Sequence, residues 1–483
     1  MSKVGWVVER EIVQSEELLK QEGYQQELAR VLTVLQTVGL ALSDITPTAS
    51  FFVIAAQVYP MTGTGAVWTF LLAGIIALAV AASMAELGSM YPIAGGLYSI
   101  VARVLGKPIG FLAMTDYVVQ AIFLPAAIAL GIGSYMQMLI PAVNANLWAT
   151  VLMLMVTAVA VFRVNTNANI TGIFLSVELV VIVVVAIVGF LHPINGAALF
   201  HPALTTGESL HPVSFAVILS AVAVALFSFN GYDSAINFSE ETDGSAKNVG
   251  RSVINSASLG VLFQVIASIA VLLGVPSLPK FFGSTLPIYY FLQVYLGTAL
   301  ANVMVVGVAL AVLNATLAIV LQFSRVIYST ARDGSWPGSV NHFLSRVHPR
   351  FRTPWGSVLF VGLLGTLLTL FGSVVSAITF TSVMIIILYA LIAIAALVNR
   401  VRMRGVRPPF RMWLWPLPPI VALVGVILAI IQQTTHDLLI CAVIFAAGIV
   451  YYWFGARQGN GLWARQRSLA VTEEFPSNAP NIE

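Results

Sequence analysis

Three acidic residues stand in stretches that are otherwise apolar. Asp44 lies in Leu42-Ser43-Asp44-Ile45-Thr46-Pro47-Thr48, Asp233 in Leu226-Phe-Ser-Phe-Asn-Gly-Tyr-Asp-Ser-Ala235, and Glu178 in Asn169-Ile-Thr-Gly-Ile-Phe-Leu-Ser-Val-Glu-Leu179. A charged side chain at the depth of a bilayer costs at least about 2.5 kcal/mol on insertion scales, so each acid is a candidate for ion or ligand chemistry. Two of the three also sit where a helix breaks. Pro47 removes a backbone donor and disfavours helix at Thr46, while Gly231, between Asn230 and Tyr232, interrupts the run from Val213 to Leu226 before it resumes at Ala235. Lipid offers backbone groups no water, so such breaks are tolerated only beside protein or a protein-lined cavity. The two half-helix ends then present N–H and C=O groups to a ligand. A glycine kink used for packing alone is the rival reading, and the matching break in the other half of the chain argues against it.

The elements that must carry these residues follow from composition. Of 483 residues, 59% are hydrophobic and 9% charged, where a soluble domain has about a quarter charged, and the mean hydropathy is +0.92. This excludes a soluble globular chain and predicts a polytopic helical membrane protein. A net charge of +3 says little about partners, and nucleic acid is not among those expected. The single cysteine, Cys441, excludes an intrachain disulfide framework. Residues 1–30 hold six Glu against four Lys or Arg and lack the apolar core of a cleaved signal, so they read as a cytosolic tail.

Apolar segments of roughly twenty residues fall at 31–58, 64–87, 108–139, 146–163, 170–191, 213–240, 252–275, 297–323, 355–373, 375–398, 413–431 and 437–455, twelve in all. With both termini inside, 22 of the 23 Lys and Arg lie on the inner side and only Lys280 outside. One missed span would scatter those charges over both faces, so the asymmetry supports the count and predicts cytoplasmic termini in a multi-pass cell-membrane protein.

Three stretches between spans carry a family likeness. Phe229-Asn-Gly-Tyr-Asp-Ser-Ala-Ile-Asn-Phe-Ser-Glu-Glu-Thr-Asp-Gly-Ser-Ala-Lys-Asn-Val-Gly-Arg-Ser-Val-Ile-Asn-Ser256 resembles the signature of amino acid–polyamine–organocation permeases. Ala85-Glu-Leu-Gly-Ser-Met-Tyr-Pro-Ile-Ala-Gly-Gly-Leu-Tyr98 agrees with it, as does Ser324-Arg-Val-Ile-Tyr-Ser-Thr-Ala-Arg-Asp-Gly334 with His348-Pro-Arg-Phe-Arg-Thr-Pro354. The resemblance covers about residues 30–455 and is nearest to the amino acid/choline branch. It implies an all-α protein of LeuT-type fold, with spans 1–5 (31–191) and 6–10 (213–398) as inverted repeats, spans 11 and 12 (413–455) appended, discontinuous helices 1 and 6, and a second tail at 456–483.

The resemblance further implies a secondary transporter of amino acids working by alternating access, with polyamines, choline-like amines or 4-aminobutyrate as the alternative cargo. The positions that in relatives turn backbone donors to a substrate carboxylate are Ile45, Thr46 and Pro47 here, and carbonyls of Leu226, Phe227 and Phe229 would meet its amine. Ser43, Asp44, Asn230, Tyr232, Asp233 and Asn314 would complete the pocket, Phe227 matching an aromatic gate and Tyr117 a gate position near Asp233. The chain departs from the family pattern twice. Ile45-Thr46-Pro47 stands where relatives often have Gly-[Ser/Thr]-Gly, and Pro47 has no N–H to offer. Glu178 stands where many proton-coupled relatives have lysine.

An ionised carboxylate in mid-span is expensive, so Glu178 is expected to carry a proton or neighbour a sodium ion; a helix–helix hydrogen bond without a transport role is the bland alternative. The two acids of the breaks, with no Lys or Arg at that depth, favour a substrate bearing a positive amine over an acidic amino acid. Glu86 reads as a loop anchor and Asp116 as facing an inner vestibule. The histidines at 192, 201 and 211 lack ligand spacing, and the arginines from Arg400 to Arg411 read as a topology anchor on anionic lipid. No phosphate loop, nucleophile elbow or metal pattern suggests an enzyme, and no cofactor beyond a coupling H+ or Na+ is expected. A channel or receptor would show polar rings rather than opposed breaks.

Overall fold

The computed structural model describes residue 28 and residues 30–93, 95–206, 209–243, 246–458 and 462–463; most of the tails expected at 1–30 and 456–483 lies outside the described residues. Helix α1 (Val34–Ile45) opens on a capping box, Thr33 Oγ1 accepting from Gln36 N while Gln36 Oε1 accepts from Thr33 N. It stops at Thr46, and the chain restarts as α2 (Pro47–Ser50), passes through a π turn (Phe51–Ala55) and ends in α3 (Ala56–Thr62). There follow α4 (Ala66–Met90), α5 (Gly96–Leu105), α6 (Lys107–Leu139), α7 (Ala145–Ala160) and α8 (Val164–Leu191).

A second set begins with α9 (Phe215–Ser220), α10 (Val222–Phe229) and α11 (Ser234–Asn237), the pieces of the other interrupted segment. It continues with α12 (Ala246–Gly274), α13 (Leu278–Phe282), α14 (Pro287–Arg332, bent at Gly297), α15 (Gly338–Leu344), α16 (Trp355–Phe371), α17 (Val374–Arg402), α18 (Leu417–Ile431) and α19 (Thr435–Phe454).

Among the described residues, eight helical stretches are long and apolar enough to cross a membrane, the first running from Val34 to Met90. α7, α16 and α18 lie in segments expected to span but reach only 16, 17 and 15 residues. At 1.5 Å per residue they are about 23–26 Å long, shorter than the hydrocarbon core. Proline and asparagine set these limits, since Pro354 and Pro416 precede α16 and α18 and Asn144 caps α7. The regular structure among the described residues is all-helical, as expected, apart from one short hairpin between α8 and α9. Ala203–Thr206 and Ser209–Pro212 pair as an antiparallel hairpin, whose Ala203 N–H donates to the Thr64 hydroxyl oxygen at 2.8 Å. Strands form there because the loop lies beyond the apolar runs and can pair with itself instead of extending a helix.

Small residues let the helices approach closely. A Cβ on Gly189 of α8 would fall 2.1 Å from the carbonyl oxygen of Ala270 in α12. The two ends of the bundle differ in chemistry. At the end where α1 begins and α4, α14 and α17 finish, Arg325 holds Glu241 (2.8 Å), Arg332 holds Glu240 (2.9 Å) and Arg400 holds Glu86 (2.5 Å). Backbone pairing joins in, Leu32 N donating to Glu241 O and Asp243 N to Leu32 O. The arginine run expected to rest on lipid is therefore partly internal: Arg400 binds Glu86, which also accepts from Met412 N (2.8 Å), and Arg402 donates to Val104 O. At the opposite end, α3, the last turns of α6, the 284–286 loop and the start of α17 enclose a cavity of about 530 Å³ lined by Phe52, Gln57, Ser134, Tyr135 and Tyr289.

Arg325 and Glu241 are both fully buried, so removing one partner leaves an uncompensated charge, a loss of about 3–5 kcal/mol. Arg325→Met is expected to lower the thermal midpoint of the detergent-purified protein by several degrees, and adding Glu241→Gln to restore most of the loss. Equal destabilisation by the single and double variants, measured by fluorescence-detected melting, would contradict the pairing.

Candidate functional site

Backbone geometry decides where each candidate side chain goes. Thr46 adopts φ 43°, ψ 74°, a left-handed conformation unusual for a β-branched residue, and Pro47 cannot extend the ladder. Thr46 N–H still closes on Leu42 O at 2.9 Å, and Ser50 Oγ donates to Ile45 O at 2.8 Å. At the second break Asn230 is extended with ψ 150° and Gly231 has φ 125°. A Cβ on Gly231 would lie 2.5 Å from Ile45 N and 2.7 Å from the Asp44 carbonyl carbon. The two breaks thus meet backbone against backbone, and glycine is what permits both the conformation and the approach.

That contact gathers Asp44 and Asp233 into one buried cluster. Asp44 is 4% exposed, lies against Ser234 and within charge-interaction range of Asp233, and its Oδ2 has no hydrogen-bond partner among the described residues. Asp233 Oδ2 accepts from the Tyr117 hydroxyl and from Gln322 Nε2 (2.8 Å), whereas its Oδ1 has no partner. Asn237 Nδ2 donates to Tyr117 Oη (2.9 Å), and Asn230 Nδ2 to Tyr389 Oη (3.0 Å). The Tyr389 ring stacks on Tyr232 with centroids 6.0 Å apart, and the buried Tyr232 hydroxyl and Ser43 Oγ are also without partners. All these polar neighbours are uncharged.

Glu178, fully buried, reaches the first break from α8. Its Oε1 accepts from Thr46 Oγ1 (2.7 Å) and Thr48 N (3.1 Å), the Ala49 N–H is directed at the same carboxylate, and Asn314 Nδ2 stands 3.5 Å from Oε2. Thr48 Oγ1 adds a bond to the Glu178 carbonyl oxygen at 2.5 Å. An acid here caps the restarted helix as an N-cap side chain would.

Several expected positions are corrected. Thr46 N–H is spent within the first helix end and Ile45 N–H lies inside α1, so neither is open to a ligand. The Phe227 carbonyl accepts from Asn230 N (3.0 Å), and the Phe229 ring packs edge-on against Phe70 (6.1 Å). Leu226 and Phe227 are buried, while Asp116 faces no vestibule: it is fully buried and accepts from Gln120 (2.6 Å). Sequence reasoning missed Thr48, Asn237, Gln264 (donating to Ser228 O at 2.6 Å), Gln322 and Tyr389. Gln264 and Gln322 carried a usable signal, since a lone amide in an apolar span needs an internal partner. Tyr389 carried none, because an isolated tyrosine in such a run is compatible with a lipid interface.

Long apolar helices with polar breaks buried among them define a multi-pass membrane protein. The chain belongs to the amino acid permease family, whose sequence profile matches residues 32–452. Its relatives are transporters rather than enzymes. It is 24% identical to the methylthioribose transporter of Bacillus subtilis (strain 168) over 426 residues, covering 84% of this chain and 89% of that one. The branched-chain amino acid permease BcaP of the same organism is 24% identical over 452 residues, 88% of this chain and 94% of the relative. The low-affinity putrescine importer PlaP of Escherichia coli (strain K12) is 23% identical over 344 residues, 71% and 75% respectively.

Two outcomes follow from this geometry. Gly231→Ala should abolish uptake by reconstituted protein, because its Cβ would meet backbone rather than a yielding side chain; parental uptake would mean the breaks separate freely. Asp233→Asn should likewise stop uptake while the protein stays inserted and monodisperse, and near-normal uptake would leave Asp233 a structural role only.

Proposed function

We propose that the protein is a secondary active transporter that moves amino acids or related amines across the cell membrane by alternating access, with both termini cytoplasmic. The observation that carries this reading is the meeting of two helix breaks, each with a buried carboxylate, between an ion-paired end and an end holding a cavity. A bundle sealed at one end and open at the other is one half of an alternating-access cycle. In this reading the sealed end is cytoplasmic, so the ion pairs must part for release inward.

Twelve spans in two inverted sets of five, followed by two more, is the topology we adopt. Its support is that both interrupted segments come first in their sets and that each set ends in a helix leading to a loop or a short apolar helix. Substrates range from a thio-sugar to branched-chain amino acids and putrescine among the relatives named above, so the fold tolerates varied cargo. The two acids near the breaks favour a substrate with a positive amine, be it a neutral or cationic amino acid or a polyamine, choline-like amine or 4-aminobutyrate, over an acidic amino acid.

Coupling is assigned to Glu178 through a proton. The hydrogen bonds its carboxylate receives, from Thr46 O–H, Thr48 N–H and the Asn314 amide, satisfy it without a metal ion. Loss of the negative charge loosens the cap on the restarted helix, which ties protonation to the shape of the first break. Glu178→Gln liposomes given a labelled amino-acid and amine panel under an imposed pH gradient should exchange substrate but fail to accumulate it. Accumulation equal to the parent would remove Glu178 from coupling, and accumulation that follows a sodium gradient instead would replace the proton by the metal ion.

A further inference from the structure

We propose that the substrate of this chain is an amine lacking a free carboxylate, because Glu178 itself already fills the place at the first break where a substrate carboxylate would bind. The proposal rests on the reading of the two breaks as the substrate site. Every donor of the restarted helix can be followed. Pro47 has no N–H; Thr46 N–H closes on Leu42 O, Thr48 N–H lies 3.1 Å from Glu178 Oε1, Ala49 N–H is directed at the same carboxylate, and Ser50 N–H closes on Thr46 O at 2.9 Å. The Thr46 hydroxyl is also given to Glu178, at 2.7 Å.

A solute carboxylate arriving here would have to displace an internal carboxylate held by three donors. If it stayed nearby instead, it would join Glu178, Asp44 and Asp233 with no cation among the contacts described, and like charges in a buried site disfavour one another strongly.

The amine side of the site is in the opposite condition. Asp44 Oδ2, Asp233 Oδ1 and the Tyr232 hydroxyl are buried and without hydrogen-bond partners among the described residues. Buried polar atoms are nearly always paired, so these oxygens have acceptor capacity left for a further donor. An ammonium group offers three N–H donors, no acceptor and the compensating charge. The ring of Tyr389, stacked on Tyr232 and within charge-interaction range of both acids, adds an aromatic wall suited to a cation.

The test is binding to the purified full-length protein in detergent, read by calorimetry, with pairs that differ only in the carboxylate: ornithine and putrescine, lysine and cadaverine, leucine and 3-methylbutylamine. In any pair that binds, the amine is expected to bind at least tenfold tighter. Equal or tighter binding of the amino acid overturns the proposal while leaving the site between the breaks standing. Binding of neither member of any pair overturns the site assignment itself. Glu178→Ala uncovers the Thr48 and Ala49 donors, so it should shift the ratio at least tenfold toward the amino acid, and an unchanged ratio in a monodisperse variant counts against the account. Asp44→Asn should weaken the amine at least tenfold with elution volume and helical dichroism as in the parent, and unweakened binding would contradict the role given to Asp44.

Discussion

An N–H or C=O group left open at bilayer depth has no water to turn to, and that constraint governs how this chain can interrupt its helices. Each open group at the two breaks has to be met by protein. Ser50 answers Ile45, Gln264 answers Ser228, Asn230 turns back on Phe227, and Glu178 receives the donors of the restarted first helix. The breaks can exist only because α8, α12 and α14 bring these partners to them. Conversely, the two breaks can touch because Gly231 has no side chain to hold them apart.

The family motifs acquire a physical meaning at the ion-paired end. Glu240 and Glu241 follow the second break, and their partners Arg332 and Arg325 come from the last turns of α14; Glu86 of the earlier motif takes Arg400. The seal is therefore tied through a few residues of chain to the segment that carries Asp233. Tyr117 and Gln322, which hold Asp233, belong to α6 and α14, so the acid of the second break and the ion pairs share supporting helices. The breaks and the ion-paired end thus rest on the same helices.

Glu178 sets the local electrostatics of the first break. An acid beside a helix start is stabilised by the unpaired N–H groups and the positive end of the dipole, which would disfavour a lysine in the same geometry. Its carboxylate gives the Thr46 hydroxyl and the Thr48 N–H an internal partner. The remaining acids, Asp44 and Asp233, lie together at the contact between the breaks.

What the sequence determined by itself was whatever depends on composition and local breaks. The apolar runs, the positions of Pro47 and Gly231, the acids at membrane depth and the three motifs were enough for a helical membrane protein of the right family with its interrupted segments, because helix formation and helix breaking are decided by neighbouring residues. The partners of the buried polar groups at the breaks were decided by tertiary packing. Gln322 and Asp233 are 89 residues apart, and Thr46 and Glu178 132 apart, so no local pattern could pair them. The use of the Thr48 and Ala49 donors by Glu178 is likewise a property of α8 lying against the first break. Hydrogen bonds inside lipid must be completed by whichever helix arrives, and only the folded bundle determines which one does.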